Sequence, residues 1–87
     1  MTAVEARNNL LWSLIPIEIK NKIEDMIKYY HIYKTPFIIE IYQSVDPFVF
    51  FHIDKTIDCL KELGYGVETE ELEYMNGEKD IKLIIKF

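Results

Sequence analysis

Hydrophobic side chains recur at helical spacing through the first third of the chain. The segment Thr2–Glu5 reads Thr-Ala-Val-Glu, a capping box in which the threonine oxygen accepts a hydrogen bond from the third helical amide. A first helix is therefore predicted to begin at residue 3. Trp12 lies off its apolar stripe, and we expect a core contact for this side chain rather than an intermolecular one. The stripe follows spacings of three and four residues: Ala3, Ala6, Leu10 and Leu14.

A second amphipathic helix is predicted from about Pro16 to about His31. Pro16 lacks an amide proton and restricts the residue before it, so the first helix ends or kinks near residue 14. His31 falls in the last turn of the second helix, where the helix dipole favours a cationic imidazole and indicates a structural role. The apolar face of this helix comprises Ile19, Ile23, Met26, Ile27 and Tyr30.

The remainder of the chain alternates between strand and helix patterns. Period-two alternation predicts a first strand over residues 37–43. Asp46 supplies a cap and Pro47 a first-turn proline, and an apolar stripe then predicts one continuous third helix that ends at Gly64. Residues 65–74 and 80–87 have the composition of a second and a third strand, joined around the turn dipeptide Asn76-Gly77.

Two registers are open to the terminal hairpin. A two-residue loop would place Glu73 opposite Asp80, which are like charges. A four-residue loop places Glu73 opposite Lys82 and Leu72 opposite Leu83, so every pair is favourable. The longer loop is therefore the predicted one.

These elements predict an α+β fold with the order α-α-β-α-β-β. The third strand is the richest in isoleucine and leucine and suits the centre of the sheet, whereas the acidic second strand suits an edge. The result is a three-stranded antiparallel sheet of order 1-3-2 with helices packed on it and a right-handed crossover. At 87 residues, the chain is expected to form a single domain over residues 1–87.

Composition adds a prediction about assembly. Hydrophobic residues make up 49% of the chain and aromatic residues 14%, more than one small core can bury, so we expect a homo-oligomer. Charged residues interrupt every long apolar run, and the N-terminus lacks a secretory pattern, so no membrane association and a cytoplasmic location are expected. The single cysteine, Cys59, fits a buried and inert thiol.

The net charge of −5 is unevenly distributed. Residues 1–44 carry five basic and five acidic side chains, and residues 45–87 carry five basic and ten acidic ones, so the whole excess lies in the second half. Duplex binding requires clustered lysine and arginine to displace counterions from phosphates. Direct binding to duplex nucleic acid is therefore disfavoured.

Three segments together suggest a relationship to a known group. The opening Met1–Arg7 (MTAVEAR), the helical segment Glu18–Ile23 (EIKNKI) and Leu60–Tyr65 (LKELGY) resemble small uncharacterised α+β proteins encoded by tailed bacteriophages. The resemblance covers most of the chain. It implies a phage protein that acts on its host, in the host cytoplasm, and it transfers no functional residue because the group has no established activity.

The candidate ligands and bases of the chain do not form a catalytic or metal-binding pattern. The available side chains, His31, His52, Asp54, Asp58 and Cys59, lack the spacing of metal ligands. An enzyme would need a base beside a nucleophile or an activated water, and no glycine-rich loop is present to cradle phosphate. We therefore expect no catalysis, no metal and no cofactor.

Aromatic and basic side chains near the first strand suggest a binding function instead. Aromatic faces can stack on a nucleobase while cations hold its phosphates, so a non-catalytic module is expected that sequesters a nucleotide-like ligand between subunits. A packed core with an oligomer interface is the simpler interpretation of the same residues. The candidate ligand-binding residues are Arg7, Tyr29, Tyr30, Tyr33, Lys34, Phe50 and Phe51.

The acidic second strand supports an alternative hypothesis. Alternate residues on a strand lie ~6.8 Å apart, close to the phosphate spacing of a nucleic-acid backbone. The protein would then be an inhibitor that mimics nucleic acid to a basic host protein of defence or transcription. Charge that prevents sheets from pairing edge to edge is the simpler interpretation. The residues concerned are Glu68, Glu70, Glu71 and Glu73.

Overall fold

The computed structural model describes residues 2–34 and 36–87. Its element order confirms the predicted α-α-β-α-β-β arrangement, with one short 3₁₀ helix added between the first strand and the third α-helix. The bounds are α1 Ala3–Ser13, α2 Ile17–Tyr33, β1 Ile38–Tyr42, the 3₁₀ helix Pro47–Phe50, α3 Ile53–Glu62, β2 Gly66–Glu73 and β3 Lys79–Lys86.

The start of α1 follows the sequence, but its orientation does not. The Glu5 amide donates to Thr2 Oγ1 at 3.1 Å and the Thr2 amide to Glu5 Oε2 at 3.4 Å, which completes the capping box. The predicted apolar stripe was not a buried face, because Leu10 is 62% exposed and no residue of α1 is fully buried. Trp12 packs against the core instead. Helix α1 lies against α3, so the side of α1 that faces inward is not the predicted stripe.

Helix α2 connects the core with a projecting end. Ile19 and Ile23 are completely buried, as their spacing predicted. The helix continues two residues beyond the predicted His31 and ends where Lys34 adopts a left-handed conformation with φ of 57°. Its last turns carry exposed tyrosine and isoleucine side chains.

The continuous third helix predicted from Pro47 to Gly64 was wrong. The chain leaves helical geometry at His52, with φ −127° and ψ 46°, between the 3₁₀ helix and α3. In a 3₁₀ turn residues three apart eclipse each other, so Phe48 and Phe51 contact across 5.3 Å while Val49 and Phe50 enter the core. The end of α3 behaves as predicted, with Gly64 at φ +100° closing a Schellman motif.

The sheet has the predicted order β1-β3-β2 and is antiparallel throughout. The predicted hairpin register was wrong, as was the shorter-loop alternative, because Glu73 pairs with Lys79 and Leu72 with Asp80. The Gly77 amide bonds to the Tyr74 carbonyl at 2.9 Å and Gly77 has φ of +84°, which gives a three-residue loop with a glycine bulge. An odd shift in register exchanges the two faces of β2.

One face of the sheet is covered by the helices and the other is open. Ile39 and Ile41 of β1 and Leu83 and Ile85 of β3 are buried on the covered face, where they join a single core. The helices and the 3₁₀ segment contribute Ile15, Ile19, Ile23, Val49, Phe50 and Leu60 to this core. The opposite face carries charged residues between β1 and β2, so it resembles the solvated side of a two-layer α+β protein.

Candidate functional site

Aromatic rings are concentrated at the C-terminal end of α2 and at the adjoining ends of β1 and β3. Tyr29 and Tyr33 contact each other with tilted rings, 4.4 Å between ring centroids, and both are more than half exposed. Phe87 stacks on Phe37 at 4.9 Å and meets Tyr30 edge-on at 5.1 Å. We call these five residues the aromatic end. The Phe87 amide donates to the Phe37 carbonyl at 3.1 Å, which ties the end of the chain to the start of β1 beneath α2.

A groove of about 310 Å³ continues from the aromatic end along the free edge of β1. Its apolar wall comes from Met26 and Tyr29 of α2 and from the isoleucines that begin β1. Lys22, Asp25 and Glu40 supply one positive and two negative charges. This balance of charges would stabilise a bound phosphate group little. An extended polypeptide or a protein surface of mixed polarity is a better match for the groove.

The structure brings together only part of the predicted ligand set. Tyr29, Tyr30, Tyr33 and Lys34 meet at the end of α2. The remaining predicted ligand residues, Arg7, Phe50 and Phe51, lie elsewhere: Arg7 forms an ion pair with Glu62 of α3, Phe50 is 8% exposed within the core, and Phe51 contacts Phe48. The phenylalanines follow the far end of β1, so a strand of ~17 Å separates them from the aromatic end.

The acidic residues of β2 are divided between the two faces of the sheet. Glu68 is held by Lys86 at 2.5 Å, and this hydrogen bond together with the lysine charge lowers the pKa of the Glu68 carboxyl. Lys82 lies between Glu40 at 3.2 Å and Glu70 at 3.5 Å; its hydrogen bond with Glu40 raises the pKa of the lysine.

The two other glutamates of β2, Glu71 and Glu73, alternate with Glu68 and Glu70 and so belong to the covered side of the sheet. Both are exposed, because they lie towards the hairpin end of the strand. The four carboxylates therefore do not form one row of negative charge on a single surface.

Asp80, which the shorter predicted hairpin loop would place opposite Glu73, is a buried carboxylate with four hydrogen-bond donors. Asp80 is 4% exposed and accepts hydrogen bonds from the Ser44 amide and hydroxyl, the Tyr74 hydroxyl and the Ile81 amide, at 2.7–3.1 Å. The bond from Ser44 is the largest cause that lowers the pKa of Asp80. The hydrogen bond that the Tyr74 hydroxyl donates to Asp80 raises the pKa of Tyr74. Asp80 thus fastens the hairpin to the loop after β1.

An acidic residue within a strand of isoleucine and leucine was the available signal for this site. A charge is rarely buried unless it is paired or hydrogen-bonded, so its donors had to come from neighbouring turns. Ser44 and Tyr74 lie in those turns, but only the folded chain shows that both reach Asp80.

Within residues 2–34 and 36–87, no three His, Cys, Asp or Glu side chains are placed to share a metal ion. His31 is exposed in the last turns of α2, and His52 is exposed at the residue before α3, where it lines a groove of about 370 Å³ together with Leu14 and Cys59. In the part of the chain that the structure describes, no helix is long and apolar enough to span a membrane.

Comparison of the chain with protein-family models, curated proteins and solved structures finds no match. The aromatic end, its groove and the adjoining edge of β1 are therefore the features of the molecule that bear on function.

Proposed function

We propose that the protein is a non-catalytic binding module that works as a homo-oligomer and makes its contacts through the aromatic end. The observation that carries this proposal is the exposed tyrosine pair, Tyr29 and Tyr33, which projects from α2 beside an apolar groove. Tyrosine supplies a large contact area at a low cost in conformational entropy and is enriched at protein interfaces.

The balance of buried and exposed apolar residues supports a protein contact. Among the described residues, fourteen large hydrophobic side chains are exposed and eleven form the buried core. Scattered exposure is normal, but the aromatic end gathers three exposed rings at one end of the molecule: the Tyr29–Tyr33 pair at 4.4 Å, and Phe87, which contacts Phe37 and Tyr30 at 4.9–5.1 Å. Burial of this surface against another protein removes it from water.

A nucleotide ligand has less support from this arrangement. Of the basic residues in the predicted ligand set, Lys34 lies at the aromatic end, whereas Arg7 is engaged by Glu62. The groove beside Tyr29 carries more negative than positive charge. The hypothesis that β2 mimics nucleic acid also loses support. Lys86 forms an ion pair with Glu68 and Lys82 forms one with Glu70, which offsets the negative charge of this strand. We also propose that the protein acts on a bacterial host in the host cytoplasm, and this part of the proposal is supported only by the resemblance to phage proteins.

Light scattering after size exclusion, over a range of concentrations, tests the proposal. We expect an oligomer in the micromolar range, and we expect the double variant Tyr29→Ala/Tyr33→Ala to raise the dissociation constant at least ~10-fold, since buried interface tyrosines often contribute more than ~1 kcal/mol each. Phe48→Ala/Phe51→Ala is the matched control, because it removes a second exposed aromatic pair from the other end of β1.

Two results would contradict the proposal. A wild-type protein that is monomeric throughout the micromolar range would remove the homo-oligomer. The second result would come from a thermal-shift screen. If a cyclic or linear nucleotide stabilised the protein by ~2.7 kcal/mol, the value expected for a ligand at ~100 times its dissociation constant, the nucleotide hypothesis would take the place of this proposal.

A further inference from the structure

The ladder between β1 and β3 shows which backbone groups of β1 face outward. Strand β3 lies between β1 and β2, so the other side of β1 is an edge of the sheet. The Phe37 carbonyl accepts from Phe87, and the Gln43 amide donates to Ile81, so the odd-numbered residues bond to β3. In an antiparallel ladder the intervening residues point the opposite way, and in β1 these are Ile38, Glu40 and Tyr42.

Most of these outward groups lack a partner within the protomer. The Tyr42 carbonyl accepts from the Val45 and Asp46 amides in the following turn. The amides and carbonyls of Ile38 and Glu40 have no hydrogen-bond partner among residues 2–34 and 36–87. These groups form a template for a further strand, and the groove beside α2 runs along them.

The two edges of the sheet differ in their protection. By the same alternation, β2 directs the backbone of Glu71 and Glu73 outward, and β2 carries two further glutamates at Glu68 and Glu70. Such an edge repels a second acidic strand. Strand β1 contains a single charged residue, Glu40, whose carboxylate is engaged by Lys82 at 3.2 Å. Only the β1 edge is therefore suited to pairing with another copy of this acidic chain.

We propose that β1 pairs antiparallel with β1 of a second copy, so that the two three-stranded sheets join into one sheet of six strands. The inference rests on the homo-oligomer of the proposed function and assigns its interface. In the register centred on Glu40, Ile38 faces Tyr42 of the second copy, an aromatic and β-branched pair of the favourable kind. The two central glutamates meet together with their two Lys82 partners, which offset part of their negative charge because each lysine is shared with Glu70.

The flanks of the edge favour a second copy over a foreign strand. Lys22 and Asp25 lie three residues apart on the α2 wall of the groove. Under a two-fold axis the α2 helices of the copies run antiparallel beside each other, an arrangement in which Lys22 of one copy can meet Asp25 of the other. Tyr29 and Ile38, both more than half exposed, extend the contact towards the aromatic end.

Proline at the outward position of each edge provides a matched test. Glu40→Pro removes an outward amide of β1 without removing a ladder bond of the protomer, and Glu71→Pro does the same on β2. We expect Glu40→Pro to raise the dimer dissociation constant at least ~10-fold and Glu71→Pro to leave it unchanged. Glu40→Gln, which keeps the amide, should remain dimeric. Ile38→Lys provides a second disruption that keeps every backbone group.

Hydrogen exchange of the wild-type protein provides a test without substitution. The Glu40 and Tyr42 amides, which in this register face the Glu40 and Ile38 carbonyls of the second copy, should exchange at least ~10-fold more slowly in the oligomer than in dilute monomer, while the Glu71 amide should not change. An oligomer in which Glu40→Pro and Glu71→Pro behave alike, and these amides stay unprotected, would overturn β1 pairing and leave the proposed function standing. Protection only on addition of a foreign extended peptide would also overturn it. A monomeric wild-type protein would overturn both proposals.

Discussion

Leucine at positions 10 and 60 allows a direct test of how α1 lies on the protein. Leu60 is completely buried in α3, and Leu10 is 62% exposed in α1, although both leucines fall on apolar stripes of predicted helices. Both leucines are within helices, so replacement by alanine changes helix propensity by the same small amount in each. The difference between the two variants therefore reports the difference in burial.

The expected magnitudes are well separated. Leu60→Ala should lower the free energy of unfolding by ~3 kcal/mol, within the ~2–5 kcal/mol found for buried leucines. Leu10 retains about a third of the ~2–3 kcal/mol that full burial contributes, so Leu10→Ala should cost less than ~1 kcal/mol. A domain of 87 residues has a total stability of ~4–13 kcal/mol. Only the first variant should therefore approach the limit of folding.

Urea unfolding followed by fluorescence of Trp12, the single tryptophan, measures both values. With an m value near ~1.5 kcal/mol/M, a loss of ~3 kcal/mol moves the midpoint by ~2 M, and Leu10→Ala should move it by less than ~0.7 M. Low protein concentration keeps self-association from contributing. Equal losses in the two variants would refute the orientation of α1, since Leu10 would then have to be buried.

The elements that the sequence predicted correctly are those set by local chemistry or by a large contrast in polarity. Capping by Thr2 and Glu5 involves one turn of backbone and needs no tertiary information. The sheet order follows from the difference between an apolar β3 and an acidic β2, which determines which strand occupies the centre. The glycine termination of α3 at Gly64 is equally local.

The hairpin register depended on interactions that no pairwise comparison of strands contains. The choice between registers from the sequence treated Asp80 as a charge that should not face Glu73. In the structure Asp80 is instead buried and accepts hydrogen bonds from Ser44 and Tyr74. Four donors make that burial acceptable, and three of them come from outside the β2–β3 pairing. The three-residue loop then shifts β2 by an odd number of residues relative to the predicted register.

The candidate site was predicted in part for a comparable reason. Residues 29–34 follow one another on a helix end, so their proximity could be predicted from the sequence. Phe51 was included in the same ligand set because it is near β1 in sequence. It follows the last residue of β1, however, whereas residues 29–34 precede the first one, so the strand separates them. The open edge of β1, which carries the interface proposal, consists of backbone groups and becomes visible only when the strand order and ladder are known.

Two further predictions concern the hairpin and its carboxylate. Gly77→Ala should lower the free energy of unfolding by ~1–2 kcal/mol because its φ is +84°, whereas the control Gly66→Ala, with only an ordinary 3.6 Å contact to Lys86, should be neutral or slightly stabilising; urea unfolding compares them. Asp80 has a pKa below its ordinary 3.8, so the unfolded state takes up this proton at a higher pH than the folded state. Its contribution is complete above about pH 5 and is lost as the pH falls through the folded value. Asp80→Asn should therefore be less stable than the wild type near pH 6 and flatten the dependence of unfolding free energy on pH below about pH 4, and parallel curves for the two proteins would show that Asp80 does not carry this linkage.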